Sequence, residues 1–297
     1  MSAARVLVTG ATGFIGRVVC QHLAAAGHQV HALHRIDGRP PHRDGGVHTW
    51  HAGANTDASV SAVLRAVQPD VIVHLAAHAS GPAGDGDVTR LVDANLLLGA
   101  RLLAAAAEAG CRHLVTTGTY WEYLDGHEAV SLYAALKQAF ARLVRYHGHA
   151  HGLRTITLAL YDTYGPGDPR GKFIDLLVAA ASAGTPLEAS DGLQAINLVH
   201  VEDVARAYVT AVARVQTLDA GTRETFGVGS GQAWTLREIA ALVERQLRTP
   251  IIVHWGARPR APRTFDRPPL LPRLPGWAPR VTLEAGVAAL LARGTDA

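Results

Sequence analysis

Two side chains in this sequence could transfer a proton to a carbonyl oxygen. Tyr133 and Lys137 stand four residues apart in residues 133–150, which we predict to form a helix, so both lie on one face of it. A neighbouring ammonium lowers the pKa of a phenol, and such a phenol could act as a general acid near neutral pH. Lysine occurs only at Lys137 and Lys172, whereas arginine is common. The alternative is an ordinary surface pair of Tyr and Lys.

Three glycines form a second chemical motif near the start of the chain. Gly10, Gly13 and Gly16 lie between a predicted strand, residues 5–8, and a predicted helix, residues 16–26. Glycines at such a junction allow a tight turn and let a pyrophosphate approach the N-terminus of the helix. The motif therefore predicts a dinucleotide site, and a glycine-rich turn without a ligand is the alternative.

The end of the second predicted strand, residues 29–33, discriminates between NAD and NADP. An acid there would bind the ribose 2′-hydroxyl of NAD, and an arginine would suit the 2′-phosphate of NADP. The residues at this point are His34 and Arg35, and Asp37 lies beyond the strand end. We expect NADP(H), with NAD(H) as the alternative; Arg35 could also be a plain surface arginine.

Helices and strands alternate through the first half of the chain, which predicts an α/β fold with a doubly wound parallel sheet. We expect residues 1–165 to form the NADP(H)-binding domain and residues 166–297 a smaller substrate-binding lobe, with parts of the two interleaved. Strands are predicted at residues 5–8, 29–33, 71–75, 113–117, 155–160, 224–228 and 251–254. Helices are predicted at residues 16–26, 58–67, 92–109, 133–150, 173–183, 201–215 and 236–247.

The spacing GxxGxxG, followed by Asp57, His74-Leu75-Ala76-Ala77 and Asn95, resembles the extended short-chain dehydrogenase/reductases. This family includes nucleotide-sugar epimerases, dehydratases and ketoreductases. The resemblance implies a Rossmann fold, with Asp57 near the adenine. The predicted cofactor-binding residues are Gly10, Thr12, Gly13, Phe14, Ile15, Gly16, His34, Arg35, Asp57, Leu75, Ala76, Ala77, Asn95, Thr117, Tyr161 and Tyr164.

The same resemblance implies a catalytic hydroxyl that pairs with Tyr133. A tyrosine usually stands four residues after this hydroxyl, and Tyr123 fits if the hydroxyl belongs to Thr119; Thr117 is the alternative. Thr119 would polarise the reacting carbonyl, and Lys137 would hold the cofactor ribose. The dehydratases carry an Asp-Glu pair after the threonine, which this chain lacks. The stretches TGTYWEY, LYAALKQAF and LYDTYGPGDPR are most similar to nucleotide-sugar 4-ketoreductases of the CDP-abequose and CDP-paratose synthase type.

Substrate contacts are predicted after the strands at residues 71–75, 113–117 and 155–160 and in the second half of the chain. Asp162 replaces an asparagine that touches the diphosphate or sugar in many relatives, and Arg170 or Lys172 would meet the diphosphate. The predicted substrate-binding residues are His78, Ser80, Tyr120, Trp121, Asp162, Arg170, Lys172, Asn197 and Arg258. The resemblance implies a TDP- or CDP-linked 4-keto-6-deoxyhexose as substrate, and a homodimer.

Composition excludes several other classes of protein. With 48% hydrophobic and 18% charged residues, the chain is not of the disordered class. A net charge of +3 without Lys/Arg blocks predicts neither a nucleic-acid nor a membrane partner. Sixteen histidines without metal-ligand spacing predict no metal site. Two cysteines and no targeting segment favour a cytoplasmic protein.

Three other functions compete with a 4-ketoreductase. An NAD-dependent nucleotide-sugar 4-epimerase would use the same residues, and His34-Arg35 in place of an acid argues against it. A non-catalytic NADP(H)-sensing Rossmann protein would not need the Tyr133–Lys137 pair. A reductase of a non-nucleotide ketone would not need the arginines of the second half.

Overall fold

The computed structural model describes residues 3–35, 46–79, 87–124, 128–261, 263 and 265–294. Its strands, numbered along the chain, are β1 (Arg5–Thr9), β2 (Gln29–His34), β3 (Thr49–Ala52), β4 (Val71–His74), β5 (His113–Thr119), β6 (Arg154–Leu160), β7 (Asp162–Tyr164), β8 (Leu187–Ala189), β9 (Ala195–Ile196), β10 (Leu198–His200), β11 (Arg223–Val228), β12 (Trp234–Thr235) and β13 (Val253–Trp255).

The α-helices of the described residues are α1 (Phe14–Ala25), α2 (Asp57–Val67), α3 (Val88–Val92), α4 (Leu98–Ala109), α5 (Leu132–His151), α6 (Phe173–Ala183), α7 (Val201–Val215), α8 (Leu236–Leu247) and α9 (Leu283–Gly294). A π-helical turn, Asp93–Leu97, joins α3 to α4, and a 3-10 turn, Tyr120–Tyr123, follows β5. The predicted helix over residues 92–109 begins four residues earlier, because the Asp87 carboxylate caps it by accepting from Arg90 N at 3.0 Å.

Seven strands form one parallel sheet in the order β3-β2-β1-β4-β5-β6-β11. The runs Val6-Leu7-Val8 and Val71-Ile72-Val73 are buried on both faces of the sheet, as a sheet covered by helices on both sides requires. This confirms the prediction of a doubly wound α/β fold. The strand order reverses between β1 and β4, and a crevice forms at such a point beyond the carboxyl ends of the strands.

Two apolar layers cover the sheet. Helices α1 and α7 pack on one face, with Val19, Leu23 and Tyr208 in that core. Helices α2, α4 and α5 pack on the other face, with Leu64, Leu102 and Phe140 among its buried side chains. The catalytic candidates of α5 are therefore fixed to the sheet by the second layer.

A third apolar cluster lies outside these two layers. It joins α6, α8 and α9 with the short strand pairs β7–β10 and β8–β13, and its buried side chains include Ile174, Leu177 and Ile239. Helix α7 and strand β11 follow residue 165 in sequence but belong to the large sheet and its cover. The chain thus passes between the large sheet and the third cluster more than once.

The segment that precedes α9 is anchored to the layer formed by α1 and α7. Leu274 and Trp277 are buried in the α1/α7 layer, and Trp277 Nε1 donates to the Asp203 carbonyl at 2.9 Å. The Asp203 carboxylate, itself fully buried, accepts from Arg280 N at 2.6 Å, from Val281 N at 2.9 Å and from the Arg206 guanidinium. A helix long and apolar enough to cross a membrane is absent from the described residues.

Candidate active site

The glycine loop lies at the crevice between β1 and β4. Gly10 has φ of +74°, and a Cβ atom there would come within 2.6 Å of Ala76 N. A side chain at Gly16 would overlap the Gly10 carbonyl oxygen, while Gly13 N donates to that oxygen at 3.0 Å. Thr12 and Gly13 are exposed at the N-terminus of α1, whereas the ring of Phe14 is buried. This cradle fits the pyrophosphate of a dinucleotide, which needs close backbone approach and a helix N-terminus.

The loop after β4 is fixed against the glycine loop. Thr9 Oγ1 lies 2.8 Å from His74 Nδ1 and accepts from Ala76 N at 3.1 Å. Burial, with help from Lys137, lowers the pKa of His74 to about 3, so this imidazole stays neutral. Leu75 and Ala76 are half-buried and Ala77 is exposed, which places their backbone on the crevice.

The Asn95 side chain stabilises the loop after β4 by hydrogen bonds to its backbone. It lies in the π-helical turn, where Nδ2 donates to His78 O at 2.8 Å and Oδ1 accepts from His78 N at 3.2 Å. Its side chain thus fixes the backbone of His78, and its predicted role at the cofactor is indirect. Ser80 lies outside the described residues.

The end of β2 carries His34, whose Nδ1 lies 2.7 Å from the Arg35 carbonyl oxygen, and the exposed Arg35. Gly53 N and Ala54 N both donate to the His34 carbonyl, at 3.0 and 3.1 Å, so the loop after β3 is fixed against the end of β2. Asp57 instead pairs with Arg101 of α4 at 2.8 Å, and an adenine contact would have to share its carboxylate.

Tyr133 and Lys137 lie together in the first two turns of α5. Ser131 caps this helix by accepting from Ala134 N at 3.2 Å. The Lys137 ammonium is buried, donates to Thr117 O at 3.0 Å and lies 5.8 Å from the centroid of the Tyr133 ring. Lys137 thus links the end of β5 to the candidate proton donor.

The electrostatics of this pair differ from the sequence-based expectation. Burial raises the pKa of Tyr133, Glu122 raises it further, and Arg170 lowers it. The expected lowering of the Tyr133 pKa by Lys137 is therefore outweighed. Burying a phenolate costs more free energy than the nearby charges recover by stabilising it. Burial also lowers the pKa of Lys137 to about 8, against an opposing effect of Glu122.

The two candidate hydroxyls are in different environments. Thr117 Oγ1 donates to His74 O at 2.9 Å and lies 2.6 Å from the Tyr208 hydroxyl, so both bonds of this hydroxyl are internal. Thr119 ends β5, and its Oγ1 caps the 3-10 turn as an acceptor, with a long bond of 3.4 Å from Trp121 N. Thr119 Oγ1 therefore keeps its proton available for a substrate oxygen, which favours it over Thr117.

Glu122 belongs to this cluster, although the sequence analysis gave it no role. Its Oε1 accepts from Thr119 N at 2.7 Å. Burial raises the pKa of Glu122 to about 7, while the Thr119 N–H and Lys137 lower it. An acid three residues after a threonine at a strand end is the signal that could have revealed it.

Asp162, Lys172 and Tyr120 form one polar group next to this cluster. Lys172 Nζ lies 3.2 Å from Asp162 Oδ1, and the Tyr120 hydroxyl donates to Asp162 Oδ2 at 3.0 Å. The Lys172 ammonium is thus paired inside the protein, and a substrate diphosphate would have to compete with Asp162 for it.

Arg170 is paired even more completely. It binds the Asp168 carboxylate with Nε at 2.7 Å and Nη2 at 2.5 Å, and donates to Thr163 O at 2.8 Å. Its guanidinium also lies 5.2 Å from the centroid of the Phe14 ring. Arg170 therefore joins the loop after β7 to the start of α1, close enough to Tyr133 to affect its pKa.

A group of aromatic rings lies next to Tyr133 and Asp162. Tyr120 stacks on Tyr161 with ring centroids 4.9 Å apart and meets Phe265 edge-on at 5.6 Å. Trp121 contacts both Tyr120 and, at 6.3 Å, Tyr133. We call Tyr120, Trp121, Tyr161 and Phe265 the aromatic wall. The hydroxyl of Tyr161 binds Pro269 O at 2.5 Å, so Tyr161 presents its ring rather than its hydroxyl.

Three other predicted site residues point elsewhere. The ring of Tyr164 is buried in the third apolar cluster, edge-on to His200 at 5.4 Å, so its predicted cofactor contact is limited to the backbone. Asn197 is buried and its Oδ1 accepts from Ser230 N at 2.8 Å, which makes it a brace for that loop. Arg258 is mostly exposed and lies 3.5 Å from Glu188. In the described ranges no group of three metal-ligating side chains is found.

Comparison with known proteins agrees with this geometry. The sequence profile of the NAD dependent epimerase/dehydratase family matches residues 6–229. The chain is 26% identical to a probable UDP-glucuronate 4-epimerase of Rhizobium meliloti (strain 1021), over 96% of this chain and 95% of that protein. It is 28% identical to CDP-abequose synthase of Yersinia pseudotuberculosis, over 60% of this chain and 62% of that protein.

Among solved structures, the UDP-glucose 4-epimerase of Thermus thermophilus in complex with NAD superimposes with a TM-score of 0.81 and 27% identity, and the match covers 99% of each chain. The resemblance drawn from the glycine spacing, the Tyr133–Lys137 pair and the strand-end motifs is thereby confirmed. The chain belongs to the NAD dependent epimerase/dehydratase family, the extended short-chain dehydrogenase/reductases whose members modify nucleotide sugars.

Proposed function

We propose that this protein reduces the C4 ketone of a nucleotide-linked 4-keto-6-deoxyhexose, with NADPH as the reductant. The observation that carries the proposal is the cluster of Tyr133, Lys137 and Thr119 at the carboxyl edge of the sheet, beside the glycine cradle. NADPH, when bound, supplies a hydride to C4 of the ketone. Tyr133 donates its phenolic proton to the carbonyl oxygen, which becomes the C4 hydroxyl.

The other residues orient and stabilise this transfer. Thr119 donates a hydrogen bond to the carbonyl oxygen, and Lys137 stabilises the phenolate left on Tyr133. Gly10, Gly13 and Gly16 would hold the pyrophosphate, and Arg35 would bind the 2′-phosphate as a guanidinium suits. The absence of an acid at positions 34 and 35 supports NADPH over NADH.

The aromatic wall supports a 6-deoxy sugar as substrate. A C6 methyl group gains by packing on aromatic rings, whereas a C6 carboxylate in the same place would need a free cation. Lys172, which is linked to Tyr120 of the wall through Asp162, and Arg170 are already paired with Asp162 and Asp168. This arrangement favours the CDP-abequose synthase type of reaction over the 4-epimerisation of a glucuronate.

The test offers the purified protein NADPH or NADH together with a TDP- or CDP-linked 4-keto-6-deoxyhexose. We expect stoichiometric oxidation of NADPH and formation of the C4 alcohol, with NADH much slower. Arg35→Ala should raise the KM for NADPH about tenfold and leave that for NADH unchanged, and Arg65→Ala on α2 is the control. Failure of the ketone to oxidise either nucleotide would refute the proposal.

An NAD-dependent nucleotide-sugar 4-epimerase is the second candidate, since two of the relatives described above carry that name. It oxidises and then re-reduces C4 without net consumption of NADH. If NAD copurifies with the protein and UDP-glucose interconverts with its C4 epimer, this candidate takes first place and Arg35 loses its assigned role.

We also propose a homodimer formed through α4 and α5. Leu97, just before α4, and Tyr146 on α5 are large side chains that are 38% and 60% exposed, which suits burial against a second copy. Light scattering of the purified protein should give a mass of about twice 31.4 kDa, and Tyr146→Glu should give the monomer mass.

A further inference from the structure

Glu122 connects the end of β5 to the start of α5. Its Oε1 accepts from Thr119 N at 2.7 Å, and its own backbone carbonyl accepts from Gln138 Nε2 at 3.1 Å. Thr119 and Lys137, the two polar groups assigned to the reaction besides Tyr133, thus lie on the two elements that Glu122 joins. A carboxylate in this position can act on both.

Gly118 leaves the space that the carboxylate occupies. A Cβ atom at Gly118 would lie 2.9 Å from Glu122 Oε1 and 3.0 Å from Thr157 Cγ2. Side chains alternate along a strand, so position 118 faces the same side as Leu114, which packs in the layer formed with α5. The Glu122 carboxylate therefore lies between β5 and α5, on the side of Tyr133 and Lys137.

Among the described residues, the charged and titratable groups that interact with Glu122 lie on α5 and in its own turn. Lys137 and Tyr133 approach it from α5, and Tyr123 from its own turn; Thr157 on β6 is neutral. The effect is reciprocal, because Glu122 raises the pKa of Lys137 while Lys137 lowers the pKa of Glu122. Glu122 also raises the pKa of Tyr133.

We propose that Glu122 is a positioning residue that keeps Lys137 and Tyr133 protonated and so sets the alkaline limit of the reaction. The inference rests on the proposed function, in which Tyr133 must carry a proton before each turnover. An anionic Glu122 favours the ammonium of Lys137 and disfavours the phenolate of Tyr133. Without that charge, both groups lose their protons at lower pH.

The test compares three variants in the pH dependence of kcat/KM. Glu122→Gln keeps an acceptor oxygen for Thr119 N but removes the charge, Glu122→Ala removes both, and Glu128→Gln removes an exposed acid six residues away. We expect Glu122→Gln to shift the alkaline limb to lower pH by about one unit. Glu128→Gln should superimpose on the unmodified protein. Equal thermal stability of Glu122→Gln and the unmodified protein establishes that folding is intact.

Two results would overturn the proposal. One is an unshifted alkaline limb in Glu122→Gln with loss of activity only in Glu122→Ala, because Glu122 would then serve merely as a cap for Thr119 N. The other is an infrared titration in which Glu122→Gln removes no carboxylic acid band, since infrared spectroscopy detects a protonated carboxylic acid directly. We expect a carboxylic acid band that disappears near pH 7 and is missing in Glu122→Gln but present in Glu128→Gln.

A band that disappears at the ordinary pKa of a glutamate would also contradict the proposal. The infrared titration needs no turnover, so it tests Glu122 even if the ketone proves not to be a substrate. Failure of the proposed function and failure of this inference are thus distinguishable.

Discussion

The hydroxyl oxygen of Tyr208 on α7 lies 2.6 Å from Oγ1 of Thr117 on β5, although 91 residues separate them in sequence. Tyr208 is fully buried, so this pair of hydroxyls ties the helix layer to the sheet below the candidate active site. Because Thr117 Oγ1 also donates to His74 O, it has no further proton to offer a substrate. This bond assigns Thr117 and Thr119 of β5 different roles.

Substitution of each threonine should therefore affect a different property. Thr119→Ala should lower kcat about 10²–10³-fold, the usual cost of removing one donor to a developing oxyanion, with little change in stability. Thr117→Val should lower the free energy of unfolding by about 1–3 kcal/mol, since the Tyr208 hydroxyl and His74 carbonyl lose a buried partner. Steady-state kinetics and urea denaturation of both variants measure this. A large kcat loss in Thr117→Val with intact stability would reverse the assignment.

Replacement of Tyr133 by Phe removes the proton donor and keeps the ring. We expect turnover to fall at least 10²-fold, while the dissociation constant for NADPH, measured by fluorescence titration, stays within about threefold. Tyr146→Phe, which alters an exposed tyrosine on the same helix, is the matched control and should retain full activity. An active Tyr133→Phe protein would exclude Tyr133 as the acid.

Local spacing predicted much of the site. The strand, glycine loop and helix at residues 5–26 are contiguous, and the Tyr133–Lys137 pair needs only helical periodicity, so both could be identified in the sequence. The bounds of α6, α7 and α8 agree with prediction for the same reason. By contrast, β7, β8, β9, β10 and β12 have two or three residues each, too few for a period to appear, whereas the strand predicted at residues 251–254 is observed as β13 (Val253–Trp255).

Tertiary contacts determined the rest. The sequence placed Arg170 and Lys172 at a diphosphate, but their pairing with Asp168 and Asp162 depends on the path of the loop after β7. The direction of the Tyr133 pKa was wrong because spacing reports the neighbouring ammonium and not burial, which dominates here. The position of Glu122 in the candidate site was not predicted, because its carboxylate occupies a space that the lack of a side chain at Gly118 leaves open, and only the folded structure shows this space.

The backbone of the glycine cradle should not tolerate a methyl group. Gly10 and Gly110 both have positive φ, +74° and +76°, but a Cβ at Gly10 would meet Ala76 N at 2.6 Å whereas one at Gly110 meets nothing within 4 Å. Gly110→Ala should thus cost about 1 kcal/mol for the left-handed backbone alone. Gly10→Ala should cost more and should weaken NADPH binding at least tenfold, because the loop must shift.

Fluorescence titration with NADPH and chemical denaturation of the two glycine variants separate these effects. If Gly10→Ala binds NADPH as tightly as Gly110→Ala does, the cradle is not the pyrophosphate site.

Acid should destabilise the protein through His74. Burial holds the folded-state pKa of His74 at about 3, below its ordinary 6.5, so the unfolded chain binds one more proton between these values. The free energy of unfolding therefore falls as the pH drops from about 6.5 towards 3, by about 1.4 kcal/mol per pH unit for this single proton. His74→Gln should show a slope smaller by about one proton over that interval, even though it is less stable at pH 7.

Urea denaturation at several pH values between 4 and 7 measures the slope, and His149→Gln, which removes an exposed histidine of α5, is the control. Other histidines with lowered pKa values, such as His31 and His200, contribute equally to all three proteins and cancel in the comparison. Equal slopes for His74→Gln and the unmodified protein would mean that His74 gains its proton in the folded state. The Nδ1–H of the imidazolium would then donate to Thr9 Oγ1, which still accepts from Ala76 N, so the loop after β4 would keep its link to the glycine cradle.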